Sequence, residues 1–396
     1  MSQLSYQTAG ESHGPALLAT IVGMPAGVPI DLDFINAELE RRQGGYGRGG
    51  RQNIETDRAE VLSGIRLGKS IGSPITLRIP NRDSRLDDTT RTPPVHTPRP
   101  GHAHHAGSIK YLTTDCRETL ERASARETAA RVAAGALARC LLKQFDIEAF
   151  GFVRSIHQVR TNVAITAEHL ARHKADRDAS DTYCPDPAAT SAQHDIIRQA
   201  KIDKTTVGGL IECQVFNCPP GLGSTMDYRD KLDSRIAQAV MGIQAIKGVE
   251  MGLGFACADH WGHEVHDPIA FDPARKDTPS LGVVRTTNNA GGTEGGMTNG
   301  SPIIVRAAMK PISTLLRGMP SVNLNTKAAA QSDYERSDIC AVSAASVVLE
   351  NVVAFEVARV LREKFAGDSL TEARDQYARF LTHARALPLE SPDQDH

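Results

Sequence analysis

The segment AVSAASVVLENVVAFEVARVLREKF, residues 341–365, contains the most apolar window of the chain, and its reading decides what the rest must build around. Glu350 and Glu356 interrupt it, so no run reaches the ~18 apolar residues that span a bilayer. The stretch instead predicts a long core helix from Ala341 to Phe365. Arg336-Ser337-Asp338 stands directly before it, where Asp338 can cap the helix or complement its dipole.

Outward from that helix the periodicity predicts three more. Asp31 to Arg42 has Asp31 or Asp33 as cap and Phe34, Ile35 and Leu39 as its apolar stripe, with Gly44-Gly45 to stop it. Arg117 to Gln144 carries Leu120, Val132, Leu137 and Leu141, and Asp230 to Ala245 carries Leu232, Ile236, Val240 and Ile243. Strands are expected at 74–79, 209–215 and 302–306, which are rich in β-branched residues. Ala171 to Ser191 shows no period and reads as a surface loop or mobile insert, and the C-terminal tail, 387–396, as disordered. Gly and Pro are scattered, not gathered into a linker, so one compact unit over 1–386 is expected. Arg122-Ala123-Ser124 and Arg336-Ser337-Asp338 each introduce a long helix, a hint of internal duplication.

Composition excludes several classes. A formal net charge of −2 from 45 basic and 47 acidic side chains offers no global field for nucleic acid, so any polyanion must meet a local cluster. Seven dispersed cysteines with no C-x-x-C give neither a disulfide framework nor a zinc ribbon, which fits reducing cytoplasm. The N-terminus lacks the basic and apolar regions of a signal peptide, and no membrane partner is expected.

Chemistry concentrates in glycine-rich segments. GESHG, 10–14, places His13 between glycines as an acid or base near neutral pH, or is a polar turn before a strand. RRQGGYGRGGR, 41–51, sets arginine forks and open backbone N–H groups on one loop, suited to a small polyanion; Tyr46 alone is too little aromatic interleaving for RNA. RPGHAHHAG, 99–107, with His96 upstream, is histidine-dense, but no H-E-x-x-H or H-x-E spacing supports zinc, so no metal is assigned and one working histidine among spectators is the better reading. RASARET, 122–128, suits a phosphate contact or a solvated helix face. GGTEGGMTNG, 291–300, could cradle a ligand, and KPIST, 310–314, supplies a cation and two hydroxyls.

In this order, and with QAIKG at 244–248 and RSD at 336–338, these motifs closely resemble the chorismate synthase family from residue 10 to beyond 350. The resemblance implies an α+β fold, a β-α-β sandwich with an internal pseudo-two-fold repeat in one large domain, assembling as a homotetramer. It implies a 1,4-elimination of phosphate from 5-enolpyruvylshikimate 3-phosphate giving chorismate, without net redox change but requiring reduced FMN, with NADPH a candidate reductant. The position matching His13 would protonate the departing phosphate, that matching His102 would protonate or stabilise the reduced flavin, and that matching Asp338 would assist proton removal near flavin N5. Flavin contacts would fall on Arg122, Ala123, Ser124, Gln244, Ala245, Gly295, Lys310, Pro311, Ile312, Ser313, Thr314 and Arg336. Arg42 and Arg48 match arginines conventionally assigned to NADPH, and with Arg51 they are expected to meet the substrate's phosphate or carboxylates.

The chain departs from the family pattern at His104, where Asp is frequent, at Leu253, where a small or acidic residue is common, and at Ser343, where proline is frequent. Two other readings stand beside this one: a flavin- or NADPH-linked oxidoreductase, against which the lack of a G-x-G-x-x-G in a βαβ unit argues, and a non-catalytic anion-binding module.

Overall fold

The computed structural model describes residues 3–50, 54–278, 280–332 and 337–387. Arg51, Arg336 and the tail from residue 388 lie outside the described residues.

Two antiparallel sheets form the outer layers. The first takes strands in the order β1 (Ser5–Ala9), β2 (Ala16–Val22), β4 (Ile75–Pro80), β3 (Glu60–Ser63). The second runs β8 (Ile246–Met251), β9 (Ile303–Met309), β7 (Gly209–Phe216), β5 (Glu148–Ile156), β6 (Val159–Arg160). Strict alternation writes the inner face: Leu17, Ala19 and Ile21 of β2 and Ile75, Leu77 and Ile79 of β4 are buried, while their neighbours are not.

Helices fill the space between. α1 (Leu32–Gln43) is capped by Asp31, which accepts from Phe34 N at 2.9 Å. A short α2 covers His104–Tyr111, α3 covers Arg117–Ala123, and α4 covers Thr128–Leu142. After α5 (Leu170–Ala179), α6 (Pro187–Ile202) and α7 (Leu232–Met241) comes α8 (Val342–Lys364), with α9 (Leu370–Arg385) last. α4 lies on β2 and β4, α8 lies on β5 and β7, and the two helices pack on each other. Their seam is tight: a Cβ on Gly135 would fall 2.2 Å from the Asn351 carbonyl oxygen. One buried apolar cluster runs from Leu4 to Ala373. No helix among the described residues is long and apolar enough to cross a membrane.

Glu350, one of the two carboxylates that interrupt the apolar window, is neutralised inside this seam. Glu350 meets Arg41 and, at 2.9 Å, Arg139, while Glu38 meets Arg41 at 2.6 Å and Arg139 at 2.8 Å. Burial pushes the Glu38 carboxyl up, but the two guanidiniums outweigh it and hold it well below the carboxylate range.

Three expectations are corrected. The stretch 171–191 is not a loop: it holds most of α5 and the start of α6, the latter begun by Asp186, whose side chain accepts from Ala188 N and Ala189 N, with Pro187 in the first turn. α5 shows no apolar stripe because only Leu170 and Arg177 are buried, Arg177 lying 4.9 Å from the Phe150 ring centroid. The helix expected over 117–144 is two helices. Ser124 between them is extended (φ −62°, ψ 142°) and its side chain accepts from Arg126 N, a capping geometry that restarts the chain through a 3₁₀ turn at Ala125–Glu127. The helix expected over 230–245 is α7 alone, closed at Gly242.

Candidate active site

The β1–β2 turn presents His13 and the break after α3 presents its partner. Glu121, on the last turn of α3, is 2% exposed; its carboxylate lies 2.9 and 3.0 Å from His13 Nδ1 and accepts the His13 main-chain N–H at 2.8 Å. Burial pushes the Glu121 carboxyl up, but the hydrogen bonds and charge of His13 outweigh it and hold it below the usual carboxylate range. The other ring nitrogen, Nε2, faces Arg85 Nη2 at 3.4 Å and Asp83 Oδ2 at 3.8 Å. Arg85 N and Leu86 N donate to the His13 carbonyl at 2.9 and 3.0 Å, which seats the 81–92 segment on the turn.

The RASARET residues lock the same turn. Ser12 N donates to Glu121 O at 3.1 Å, and Ser12 Oγ donates to Ser124 Oγ at 3.1 Å. Arg122 donates to the carbonyls of Gly10 at 3.1 Å and Thr8 at 3.0 Å. From Thr8 a chain of bonds leads to the second sheet. Thr8 Oγ1 donates to Glu127 at 2.6 Å, Gln244 Nε2 donates to Glu127 at 2.9 Å, Lys310 N donates to Ala245 O at 3.0 Å, and the Lys310 ammonium donates to Gly101 O beside His102. Arg122 and Gln244 are thereby linked through Thr8 and Glu127, and Ala245 through Lys310 to Gly101, the residue before His102.

Two features along this chain suit a ligand. Gln244 Oε1 is buried with no hydrogen-bond partner, and Ala245 sits in the left-handed region at φ +68°, which a non-glycine residue adopts at a cost of about 1–3 kcal/mol. Burial and the neighbouring Lys247 lower the Lys310 ammonium from its ordinary range. The His102 ring lies 4.6 Å from that of His104, tilted by 34°, so the departure at His104 stacks on the site, and its Nδ1 accepts from Arg99 N at 3.1 Å.

Asp338 is placed by the glycine loop. Its Oδ1 accepts from Gly49 N at 2.6 Å and its Oδ2 lies 3.4 Å from Arg48 Nε. Gly47 O accepts from Ile339 N at 2.8 Å, and Gly45, at φ +115°, has room only because it lacks a Cβ, which would lie 2.7 Å from that of Ser343. Ser343 donates to Thr182 O at 3.1 Å. The adjoining segment joins this loop to KPIST: Val207 N donates to Ile339 O at 3.0 Å and Thr206 Oγ1 donates to Ile312 O at 2.7 Å.

Arg42, expected to meet the substrate, is instead 5% exposed and pairs with Asp57 at 2.6 Å, because α1 turns it inward toward Arg126. Gly295 occupies the tip of a hairpin, 293–298, packed at the start of α7, whereas Gln244 lies beyond that helix's other end, ~15 Å away at 1.5 Å rise per residue. The histidine-dense segment gathers no group of three potential metal ligands among the described residues. A surface cleft lined by Thr166, His169, His173 and Asp176 shares no lining residue with these loops.

Sequence reading missed Glu121, Asp83, Arg85 and Asp57. Glu121 stands one residue ahead of RASARET, and Asp83 and Arg85 directly follow β4, so proximity to a motif and to a strand end was the available signal.

The model of the family described as chorismate synthase matches residues 4–361. The chorismate synthase of Desulforamulus reducens is 51% identical over 382 residues, covering 94% of this chain and 96% of that protein. That of Pelobacter propionicus is 49% identical, covering 97% of this chain and 100% of that protein. A solved structure, "Crystal Structure of Chorismate Synthase", superposes with a TM-score of 0.78 at 39% identity, covering 97% of this chain and 99% of that one. With the motifs in register and the match extending over nearly its full length, this chain belongs to the chorismate synthase family, lyases of the shikimate pathway.

Proposed function

We propose that the chain eliminates phosphate from 5-enolpyruvylshikimate 3-phosphate to give chorismate at the convergence of the 10–14, 44–50, 99–102, 244–245, 310–314 and 337–338 segments, with reduced FMN bound there. The observation that carries this reading is that Arg122, Thr8, Glu127 and Gln244 are joined by hydrogen bonds, that Ala245, next in the chain, is joined by a hydrogen bond to Lys310, and that Lys310 is bonded to Gly101, which links the GESHG turn to the residue before His102.

The residues fit the flavin. Gln244 Oε1 is a buried acceptor awaiting an N–H, of which the flavin heterocycle has several, and Lys310 with the hydroxyls of Ser313 and Thr314 suits its phosphate. Ala123, Ser124, Pro311, Ile312, Gly295 and Arg336 are assigned to the same ligand by the family pattern. When bound, reduced FMN supplies transient electron donation that helps phosphate leave.

The chain's own groups manage protons and charge. His13 delivers a proton from Nε2 to the departing phosphate, with Arg85 3.4 Å from that nitrogen to meet the developing charge. His102 serves the flavin edge. Asp338, oriented by Arg48 and Gly49 N, assists removal of the ring proton. Arg48 and Arg51 hold the substrate's anionic groups, and Arg42 supports their loop from beneath. NADPH is the proposed reductant of the flavin.

The domain spans 1–386, and the pseudo-two-fold relates two sheet-plus-helix halves built around α4 and α8. Phe255, Trp261 and Phe271, all more than 60% exposed, give a contiguous stretch of chain the apolar surface that a homotetramer in the cytoplasm would cover. Anaerobic turnover of the phosphorylated substrate with reduced FMN tests the reading. Chorismate with no net flavin oxidation supports it; stoichiometric flavin oxidation would make the chain an oxidoreductase, and binding without turnover an anion-binding module.

A further inference from the structure

Glu121 has no part in the chemistry set out above, yet it is the carboxylate in closest contact with His13. We propose that Glu121 is a positioning residue for the elimination: by accepting both the main-chain N–H and the Nδ1–H of His13, it keeps one ring proton on Nδ1 and leaves Nε2 as the atom that gives up a proton. The inference rests on His13 being the proton donor.

The geometry leaves few other arrangements. An ionised carboxylate only accepts hydrogen bonds, and Glu121, held below the usual carboxylate range, is ionised at neutral pH. With Nδ1 at 2.9 and 3.0 Å from its two oxygens, Nδ1 must carry hydrogen whether the ring is neutral or cationic. The proton that comes and goes is therefore on Nε2. That atom points away from Glu121, toward Arg85 at 3.4 Å and Asp83 at 3.8 Å. Arg117 Nη1 lies 3.6 Å from Glu121 Oε1, so the pair is flanked by one further carboxylate, Asp83, and two guanidiniums, Arg85 and Arg117.

Rigidity comes from the break at Ser124. A continuous helix would carry residues 121 and 124 along one axis, whereas the halt at Ala123 lets Glu121 O, Ser124 Oγ and the Glu121 carboxylate all grip residues 12 and 13. An imidazole held at both its backbone and one ring nitrogen can present only one face of its chemistry. In serine proteases, replacing the equivalent carboxylate by its amide preserves geometry but lowers kcat about 10⁴-fold, through the wrong tautomer.

The test is a cycle of E121Q, H13A and the double variant, assayed anaerobically with reduced FMN and read also by ¹⁵N NMR of the histidine side chains without ligand. We expect E121Q to lower kcat ~10²–10⁴-fold with little change in KM. Its His13 resonances should leave the Nδ1–H form, and the double variant should be no slower than H13A. A double variant that loses the product of the two single effects, or an unchanged tautomer in E121Q, overturns the role of Glu121. Near-normal turnover by H13A overturns instead the role of His13 on which it rests. If E121Q does not fold, E121D, which keeps the charge on a shorter arm, enters the same cycle, and its kcat should fall between wild type and H13A.

Discussion

Replacing Asp57 by Asn should destabilise the fold more than any exposed change. Asp57 is 3% exposed and receives Arg42 Nη2 at 2.6 Å and Arg126 Nη1 at 2.6 and 2.7 Å from its two oxygens. Glu55, 3.8 Å from Arg126, brings the buried group to two cations and two anions. Burial pushes the Asp57 carboxyl up, and Arg42 and Arg126 outweigh it, so the group is charged in the fold at neutral pH. D57N leaves two buried guanidiniums sharing one carboxylate, and its amide N–H₂ meets a guanidinium with no acceptor between them. Breaking a buried pair costs about 3–5 kcal/mol, so the urea-unfolding free energy should fall by that amount with an unchanged slope. Removing the surplus cation should recover part of the loss: D57N/R42M should be more stable than the two single losses added together, by ~1–3 kcal/mol. A loss below ~1 kcal/mol for D57N, or simple additivity in the double variant, would show that water reaches these charges and that the pair is not buried in effect.

Other expectations concern pH, the glycine loop and the cofactor. Glu38 has a folded pKa depressed below its ordinary 4.5, so its contribution is present above about pH 4.5 and lost as pH falls; the urea midpoint should drop below that pH, and E38Q should flatten the drop while lowering stability at neutrality. In G47A the new Cβ, at φ +84°, would lie 2.7 Å from Ile197 Cγ2 and 3.2 Å from Cys340 Cβ, so the 44–50 loop must shift off Asp338; we expect about 1–3 kcal/mol lost in denaturant and a larger loss in kcat. K310M removes the cation bonded to Gly101 and should weaken flavin binding ~10–100-fold by fluorescence titration, with the melting temperature of the ligand-free protein nearly unchanged.

The helix of 342–364 was legible as a long apolar stretch, since nearly every side of it is buried, and the strands at 75–80, 209–216 and 303–309 were legible from their β-branched content. α5 was not, because Arg177 lies along Phe150 and bonds to Gly151 O, burying a charged residue where a hydrophobic one is expected. The break at Ser124 was hidden for a related reason. Alanine and leucine on either side keep the helical period going, and a single serine weighs little against it, although its hydroxyl decides the geometry. Within the site, glycine-flanked motifs announced His13 and the 44–50 loop. Glu121 sits on an ordinary helix and Asp83 and Asp57 in loops, and only the close approach of distant segments, 13 with 121 and 83, and 57 with 42 and 126, reveals them.

The contact between Gly135 and Asn351 limits how this protein can move. A hinge needs slack, and two helices touching backbone to backbone have none, so the sheets they carry cannot breathe apart as leaves of a book. Whatever admits the substrate and seals it from water must therefore be local to the rim, in strips of chain such as 44–50 and 81–92. A covalent tether between the sheets would leave turnover untouched, whereas one pinning either strip would stop it.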